Sequence, residues 1–204
     1  TSNAHPNDLY VDGLQRQKFL ASLKIFLENV NIHNLDGETD YRTRNIIKFD
    51  EHDSNKIISD VEIFKFIIDN FGLDQQKSDQ ISINDRKFTC KLVSNNILWI
   101  EFNDFFREAT GSKDYTYISN KFDWIFVSNF RKNNDDTIDI VRRFISFIDI
   151  TYTNKTKIKF FFNDITIESI YTGTKIENLW VRCKSRLSEM RTQEYLTNNK
   201  FNKN

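Results

Sequence analysis

Residues 124–127 are Trp124, Ile125, Phe126 and Val127, four apolar side chains with no polar position between them. A strand with one wet face alternates apolar and polar residues, so an unbroken run like this is one covered on both faces. The period then changes. Ile138, Val141, Phe144, Ile145, Ile148 and Tyr152 fall on one side of a helix, with Asp135 or Asp136 placed to cap its start. A second apolar run occupies residues 158–162. Strand, helix, strand is the order that parallel pairing needs, because a parallel crossover takes a dozen or more residues and a helix supplies them. The fold class expected is therefore α/β.

The rest of the chain hangs on that unit. Ile81-Ser82-Ile83 alternates, Asn84-Asp85 turns, and Phe88, Cys90 and Leu92 alternate again, which predicts a hairpin. Residues 97–102 read as a third strand, followed by a short helix capped by Asn103 and stopped by Gly111, and another starting at Ser112. Upstream, Ser54 is placed to cap a helix with Ile57, Val61, Phe64, Ile68 and Phe71 inward, ended by Gly72. An earlier helix, entered from Asn7 or Asp8, carries Phe19, Leu20, Leu23, Phe26, Leu27 and Val30. Residues 31–36 look like a strand closed by Asp36-Gly37, and residues 40–50 like strand or loop. Thr174 and Glu177 have capping-box spacing before a final helix that buries Ile176, Leu179, Trp180, Cys183, Leu187 and Met190. A polar tail follows from Asn198.

Composition excludes several classes. Lys+Arg and Asp+Glu are both 29, so the net charge is zero, whereas bulk nucleic-acid or anionic-membrane binding rests on excess positive charge. Cys90 and Cys183 have no partner pattern, which fits a reducing compartment, and His5, His33 and His52 lack metal-ligand spacing. No apolar run reaches the ~18 residues of a membrane span. Glu101, Asp104 and Glu108 lack the strand Glu-x-Lys that a nuclease-like metal site would add.

The opening carries the most specific pattern. Thr1, Ser2, Asn3, Pro6, Asp8, Leu9, Tyr10, Gly13, Leu14, Gln15, Arg16, Phe19 and Leu20 stand in an order that four later blocks continue. These are Leu35-Asp36-Gly37 with Asp40-Tyr41-Arg42; Gly111 with Asp114-Tyr115; Arg142-Arg143-Phe144-Ile145 with Ile148-Asp149; and Ser185-Arg186-Leu187 with Glu189-Met190 and Glu194-Tyr195-Leu196. In this the chain resembles the ZapE family of AAA+ ATPases, whose mitochondrial members are the AFG-one-like ATPases. Ser2-Asn3-Ala4 by itself also fits the scar of a cleaved tag.

The resemblance implies a piece of a P-loop-type parallel sheet with an inserted hairpin region and a C-terminal strand-helix-strand-helix module. The divisions expected are 1–44, the distal part of the ATPase core; 45–120, the insert; 121–196, the C-terminal module; and 197–204, a frayed tail. Asn163 with Ile170-Tyr171, at the end of the 124–171 unit, echoes Asn3 with Leu9-Tyr10. The departures are equally specific. A P-loop needs G-x-x-x-x-G-K-[ST] so that glycine amides and one lysine wrap the phosphates, and Gly13, Gly37, Gly72, Gly111 and Gly173 offer no such spacing. No apolar strand ends in an Asp-Glu pair. Residues 128–129 are Ser-Asn where the family has an acidic residue and proline, and Ala4 replaces an arginine. In the family both phosphate motifs precede the Thr-Ser-Asn strand, so ATP with magnesium is expected only with an upstream segment present, and no cofactor for this chain alone.

Candidate roles follow. By the resemblance Asn3 is a sensor that positions the attacking water; an amide can donate to one oxygen and accept from another. The bland reading is a turn asparagine. Arg16 stands where related ATPases place an arginine finger, or is a helix arginine paired with Asp12. Arg186, with Arg182 one turn earlier, would touch nucleotide as a second sensor, or Arg186 pairs with Glu189. Arg142-Arg143 is a client or subunit contact, or plain helix surface. The implied partners are a protein client, further copies of the chain and the missing ATPase segment in cis or in trans, with no nucleic acid and at most peripheral membrane contact. The implied place is the bacterial cytoplasm or inner-membrane surface, or the mitochondrion in a eukaryote. The rival class is a nucleotide-independent interaction domain left by a truncated or decayed gene.

Overall fold

A computed structural model describes residues 16–30, 57–72, 78–94 and 96–197. Thr1–Glu38 and Thr39–Asn204 form two compact units. In the first, α1 spans Arg16–Glu28. Of its expected inward stripe Leu23 is buried, whereas Phe26 is 54% exposed. The expected strands at 31–36 and 40–50, and the cap at Asn7 or Asp8, lie outside the described residues.

The second unit is built on a five-stranded sheet of order β1-β2-β3-β4-β5: β1 (Ser78–Ile83), β2 (Arg86–Ser94), β3 (Ile97–Glu101), β4 (Trp124–Ser128) and β5 (Lys157–Phe160). The expected hairpin is present. Asn84 and Asp85 take φ of 49° and 63°, the pair of left-handed residues that a tight two-residue turn between twisted strands requires. β1, β2 and β3 pair antiparallel, while β3, β4 and β5 pair parallel. All five residues of β4 are buried, as its unbroken apolar run demands. This is an α/β fold consistent with a piece of a P-loop-type sheet, and hairpin and C-terminal module share the one sheet.

Helices cover both faces. On one side lies α2 (Asp60–Phe71), with Phe71 edge-on to Trp124 and Phe126 and Phe66 edge-on to Phe161. On the other lie α3 (Phe102–Arg107), α4 (Ser112–Lys121) and α5 (Ile138–Thr153). Phe144 of α5 is fully buried there against Phe102, Phe106, Phe130 and Trp180. α6 (Glu177–Met190) and α7 (Gln193–Thr197) close the unit.

Several helix starts differ from expectation. α2 is capped by Ser59 in a reciprocal capping box with Glu62. That start sets the buried stripe to Ile63, Phe66 and Ile67 and leaves Ile57 and Val61 exposed. Asn103 lies inside α3, not at its cap. A 3-10 turn, Asp135–Thr137, precedes α5, and Asn134 caps it, leaving the Asp135 carboxylate for another use. The Thr174–Glu177 box does not form; Thr174 faces Asp135 and α6 starts behind Ile176. Leu179 is 40% exposed because Ile176, Trp180, Cys183, Leu187 and Met190, spaced by fours and threes, form the inward edge.

Phe144 fills the space between α3, Phe130 and α6, so Phe144→Ala is expected to cost about 3–5 kcal/mol in urea unfolding of the chain. A loss under about 1 kcal/mol would place the core elsewhere.

Candidate functional site

Arg182 and Arg186 are one helical turn apart and project from the same side of α6. The structure brings both to one carboxylate, Asp149 on α5: Arg182 Nη2 lies 2.7 Å from Oδ2, and Arg186 Nη1 meets Oδ1. The Arg186 guanidinium also lies 5.1 Å over the Tyr152 ring. The carboxylate expected for Arg186, Glu189, accepts instead from the Tyr152 hydroxyl at 2.7 Å. Tyr152 in turn stacks on Tyr195 of α7. Asp149 and Arg186 are each only 27% exposed, so these charge-assisted bonds are partly shielded from water.

A second carboxylate fixes the other end of the same two helices. Asp135 accepts from the Tyr171 hydroxyl and from the backbone N–H groups of Thr174 and Lys175, both at 3.2 Å. Gly173 makes this approach feasible: a Cβ there would lie 2.6 Å from Tyr171 Cζ and closer still to the Asp135 carboxylate. The hydrogen bond from Tyr171, then those from the two amides, hold the Asp135 carboxyl below its ordinary pKa despite its desolvation. Desolvation, then the bond to Asp135, raises Tyr171. The start of α5 thus meets the start of α6, and the end of α5 meets the end of α6, so the helices run parallel.

The carboxyl ends of parallel strands are where open α/β sheets place ligands. In this unit those ends are met by the chain itself. Asn129, after β4, donates to Glu101 at the end of β3 (3.0 Å), and Glu101 lies 3.3 Å from Lys91 Nζ, which pairs with Asp60 at 2.8 Å. The Asp60 bond is the main cause of a raised Lys91 pKa. Trp99 Nε1 donates to Ser128 Oγ at 2.8 Å, both buried. Asn163, beyond β5, takes φ of 54° and grips Ile58 with its amide, accepting from the backbone N–H (3.0 Å) and donating to the carbonyl (3.3 Å).

Arg16 is the first residue of α1, half-buried, in the first unit; Asn3, its expected companion, lies outside the described residues. Arg143 donates to the carbonyls of Phe106 (3.1 Å) and Arg107 (3.3 Å), closing the end of α3, while Arg142 is exposed. Asp114 is a hub that sequence reasoning left without a role. Its buried carboxylate takes Arg86 at 2.6 Å, Asn84 at 3.3 Å and the Gly111 N–H at 2.8 Å, tying the hairpin turn to the start of α4. The signal for it was Gly111-x-x-Asp114, N-cap spacing with an acid three residues on. Cys90 is buried with its pKa pushed up to about 12 by desolvation, and burial raises Cys183 as well. Among the described residues no group of three or more His, Cys, Asp or Glu could hold a metal ion, and no helix is long and apolar enough to cross a membrane.

The blocks that pack in this unit, Gly111 with Asp114-Tyr115, Arg143-Phe144 with Asp149, and Arg186-Leu187 with Glu189-Met190, are those of the ordered pattern in the sequence. The profile of the family described as AFG1-like ATPase matches residues 1–199. The chain belongs to the AFG1-like ATPase family. It is 28% identical over 201 residues to the cell division protein ZapE of Escherichia coli K12, covering 96% of this chain and 52% of that protein. It is 25% identical over 230 residues to the uncharacterized protein C115.02c of Schizosaccharomyces pombe (96% and 50%), and 26% identical over 166 residues to lactation elevated protein 1 homolog B of Danio rerio (78% and 32%). The chain thus spans about half the length of ZapE and of the fission-yeast relative, and a third of the zebrafish one. No solved structure matches it. Within this AFG1-like chain, the family blocks of the α/β unit are the contacts that join α5 to α6 and the hairpin to α4.

Two outcomes follow. Asp149→Ala strands two guanidinium groups and is expected to cost about 1–2 kcal/mol in urea unfolding, the pairs being partly exposed; an unchanged midpoint would remove Asp149 from the account. Asp135 contributes stability above the ordinary carboxylate pKa and loses it as pH falls through its lowered folded value. Tyr171, raised, keeps its contribution until pH rises past the ordinary tyrosine value. The stability gap between the chain and Asp135→Asn should therefore stay flat from about pH 5 to 9 and close below about pH 4. A gap that widens in acid would contradict the sign.

Proposed function

We propose that this chain is the responding part of a ZapE-like AAA+ ATPase that couples ATP binding and hydrolysis to work on a protein partner. The partner belongs to cell division, as the name of the E. coli relative suggests, or to protein quality control. The observation that carries this reading is the family match across residues 1–199. In it Asn3 orients the attacking water, and Arg16, a fixed charge at the head of α1, stabilises the charge spread over the transferring phosphoryl group. The triphosphate and its magnesium are gripped by a polypeptide stretch carrying the G-x-x-x-x-G-K-[ST] that this sequence lacks. The assembly acts at the bacterial inner-membrane surface or in the cytoplasm, with further copies of the chain as neighbours.

The Asp149 contacts favour a structural reading of Arg182 and Arg186. A phosphate would have to displace a carboxylate already bound to both. Their task is to keep α6 in step with α5, so that the α/β unit moves as one body when the first unit responds. The rival class, an interaction domain indifferent to nucleotide, gains from the same pairing and is separated by turnover.

The purified chain should hydrolyse ATP at background rate. With a stretch carrying the phosphate motifs supplied in trans, turnover should appear, and Arg16→Ala should reduce it by roughly 10³-fold. Turnover by the chain alone would sink the proposed division of labour. Complemented turnover indifferent to Asn3→Ala and Arg16→Ala would sink the roles given to those residues.

A further inference from the structure

β1 is an outer strand. Among the described residues no strand lies beyond it, and its neighbour in the sheet is β2. Along it Ser78, Asp79, Gln80 and Ser82 are exposed, while Ile81 and Ile83 are buried. An outer strand offers N–H and C=O groups to any extended chain that meets it, and natural sheets blunt such edges. Which groups β1 offers follows from its turn. Asn84-Asp85 is a two-residue turn, so Ile83 and Arg86, which face each other, are the bonded pair that closes the hairpin. Bonded and non-bonded pairs alternate along an antiparallel ladder. Ile81, opposite Phe88, therefore also bonds to β2. Ser82 and Gln80, opposite Lys87 and Thr89, turn their backbone groups to the open edge.

The contacts of Ser78 agree with that parity. Its hydroxyl accepts from the Gln80 N–H and donates to the Gln80 carbonyl, both at 3.0 Å. The two backbone groups of a strand residue point the same way, so one hydroxyl two residues back can hold both. The register of β1 on β2 shifts at the same place, between Ser78 and Gln80, and such a shift bends the edge away from regular pairing. Ser82 has no such guard among the described contacts. One open residue does not hold a strand: an antiparallel neighbour bonds alternate residues, so it needs Gln80 as well as Ser82.

We propose that the β1 edge is a pairing surface for β1 of a second copy, and that the Ser78 hydroxyl keeps it shut. The strand is its own complement. Set antiparallel about a twofold axis at Ile81, each copy's Gln80 meets the other's Ser82 and exchanges both backbone bonds with it. Ile81 then meets its own counterpart on the inward face, and Asp79 meets Ile83, so no like charges stand directly opposite. Ser78 must release Gln80 first, and the Gln80 groups then trade a hydroxyl for a strand. None of this depends on nucleotide.

Sedimentation velocity of the purified chain over a range of concentrations tests the pairing. Ser78→Ala frees the Gln80 groups and should associate at least about tenfold more tightly than the unaltered chain. Ser78→Thr keeps the hydroxyl and should behave as the unaltered chain does. Adding Ser82→Pro to Ser78→Ala removes an edge N–H that β2 does not use, and should return association to its starting level. Should the proline variant fail to fold, Ser82→Lys, a charge on the exposed edge, takes its place with the same result expected. Association of Ser78→Ala no tighter than that of the unaltered chain overturns the proposal. So does added association that survives the change at Ser82, or that Ser78→Thr shares.

Discussion

The fold of the α/β unit depends on covering β4 from both sides. Four of its five residues are apolar and the fifth, Ser128, is bonded to Trp99, so helices must lie above and below, and the chain must cross the sheet to bring them there. One crossing ends in α5, whose Phe144 packs against α3 and α6, and the other face is taken by α2 through Phe66 and Phe71. Burial of this kind supplies the driving force but little direction. Direction comes from a few polar groups at the rim.

Several of those groups stand in the blocks of the ordered sequence pattern. Asp114 joins the hairpin turn to the start of α4, Arg143 closes α3, Asp149 takes two arginines from α6, and Tyr152 reaches Glu189 and Tyr195. Asp149 and Arg186 bring two blocks into one contact, and Arg143 meets carbonyls just ahead of the Gly111 block, whereas Asp114 reaches outside the blocks to Arg86. With Asp135 at one end and Asp149 at the other, α5 and α6 are fixed in register along their length. A sliding motion between them would break charge-assisted bonds at both ends, so α5 and α6 are held as one body.

The α/β class, the hairpin with its Asn84-Asp85 turn and the strand-helix-strand order of β4, α5 and β5 were legible in the sequence because period and run length report burial directly. The helix starts were less so. Ser54, Asn103, Asp135 and Thr174 all had the chemistry of a cap, and which acid or hydroxyl closes a helix is decided by what else competes for it. Asp135 illustrates this: it had cap chemistry, but Asn134 capped the turn and Asp135 went to the amides behind Gly173. The inward side of α2 was misread for a related reason. The helix carries two apolar stripes, and only packing selects between them. For the candidate site, sequence spacing put Arg182 and Arg186 on one ridge, but their shared partner, 33 and 37 residues away on α5, carries no local signal.

In the proposed division of labour the first unit answers to nucleotide, and the arginines of α6 serve the α/β unit. The most direct measurement is the ATP dissociation constant of the chain, complemented by a phosphate-gripping stretch, for the unaltered sequence and for Arg182→Ala/Arg186→Ala. The account predicts values within about twofold of each other, alongside a clear loss of unfolding free energy in the double variant. An affinity weakened by about tenfold or more, with stability intact, would put those arginines on the triphosphate and contradict it.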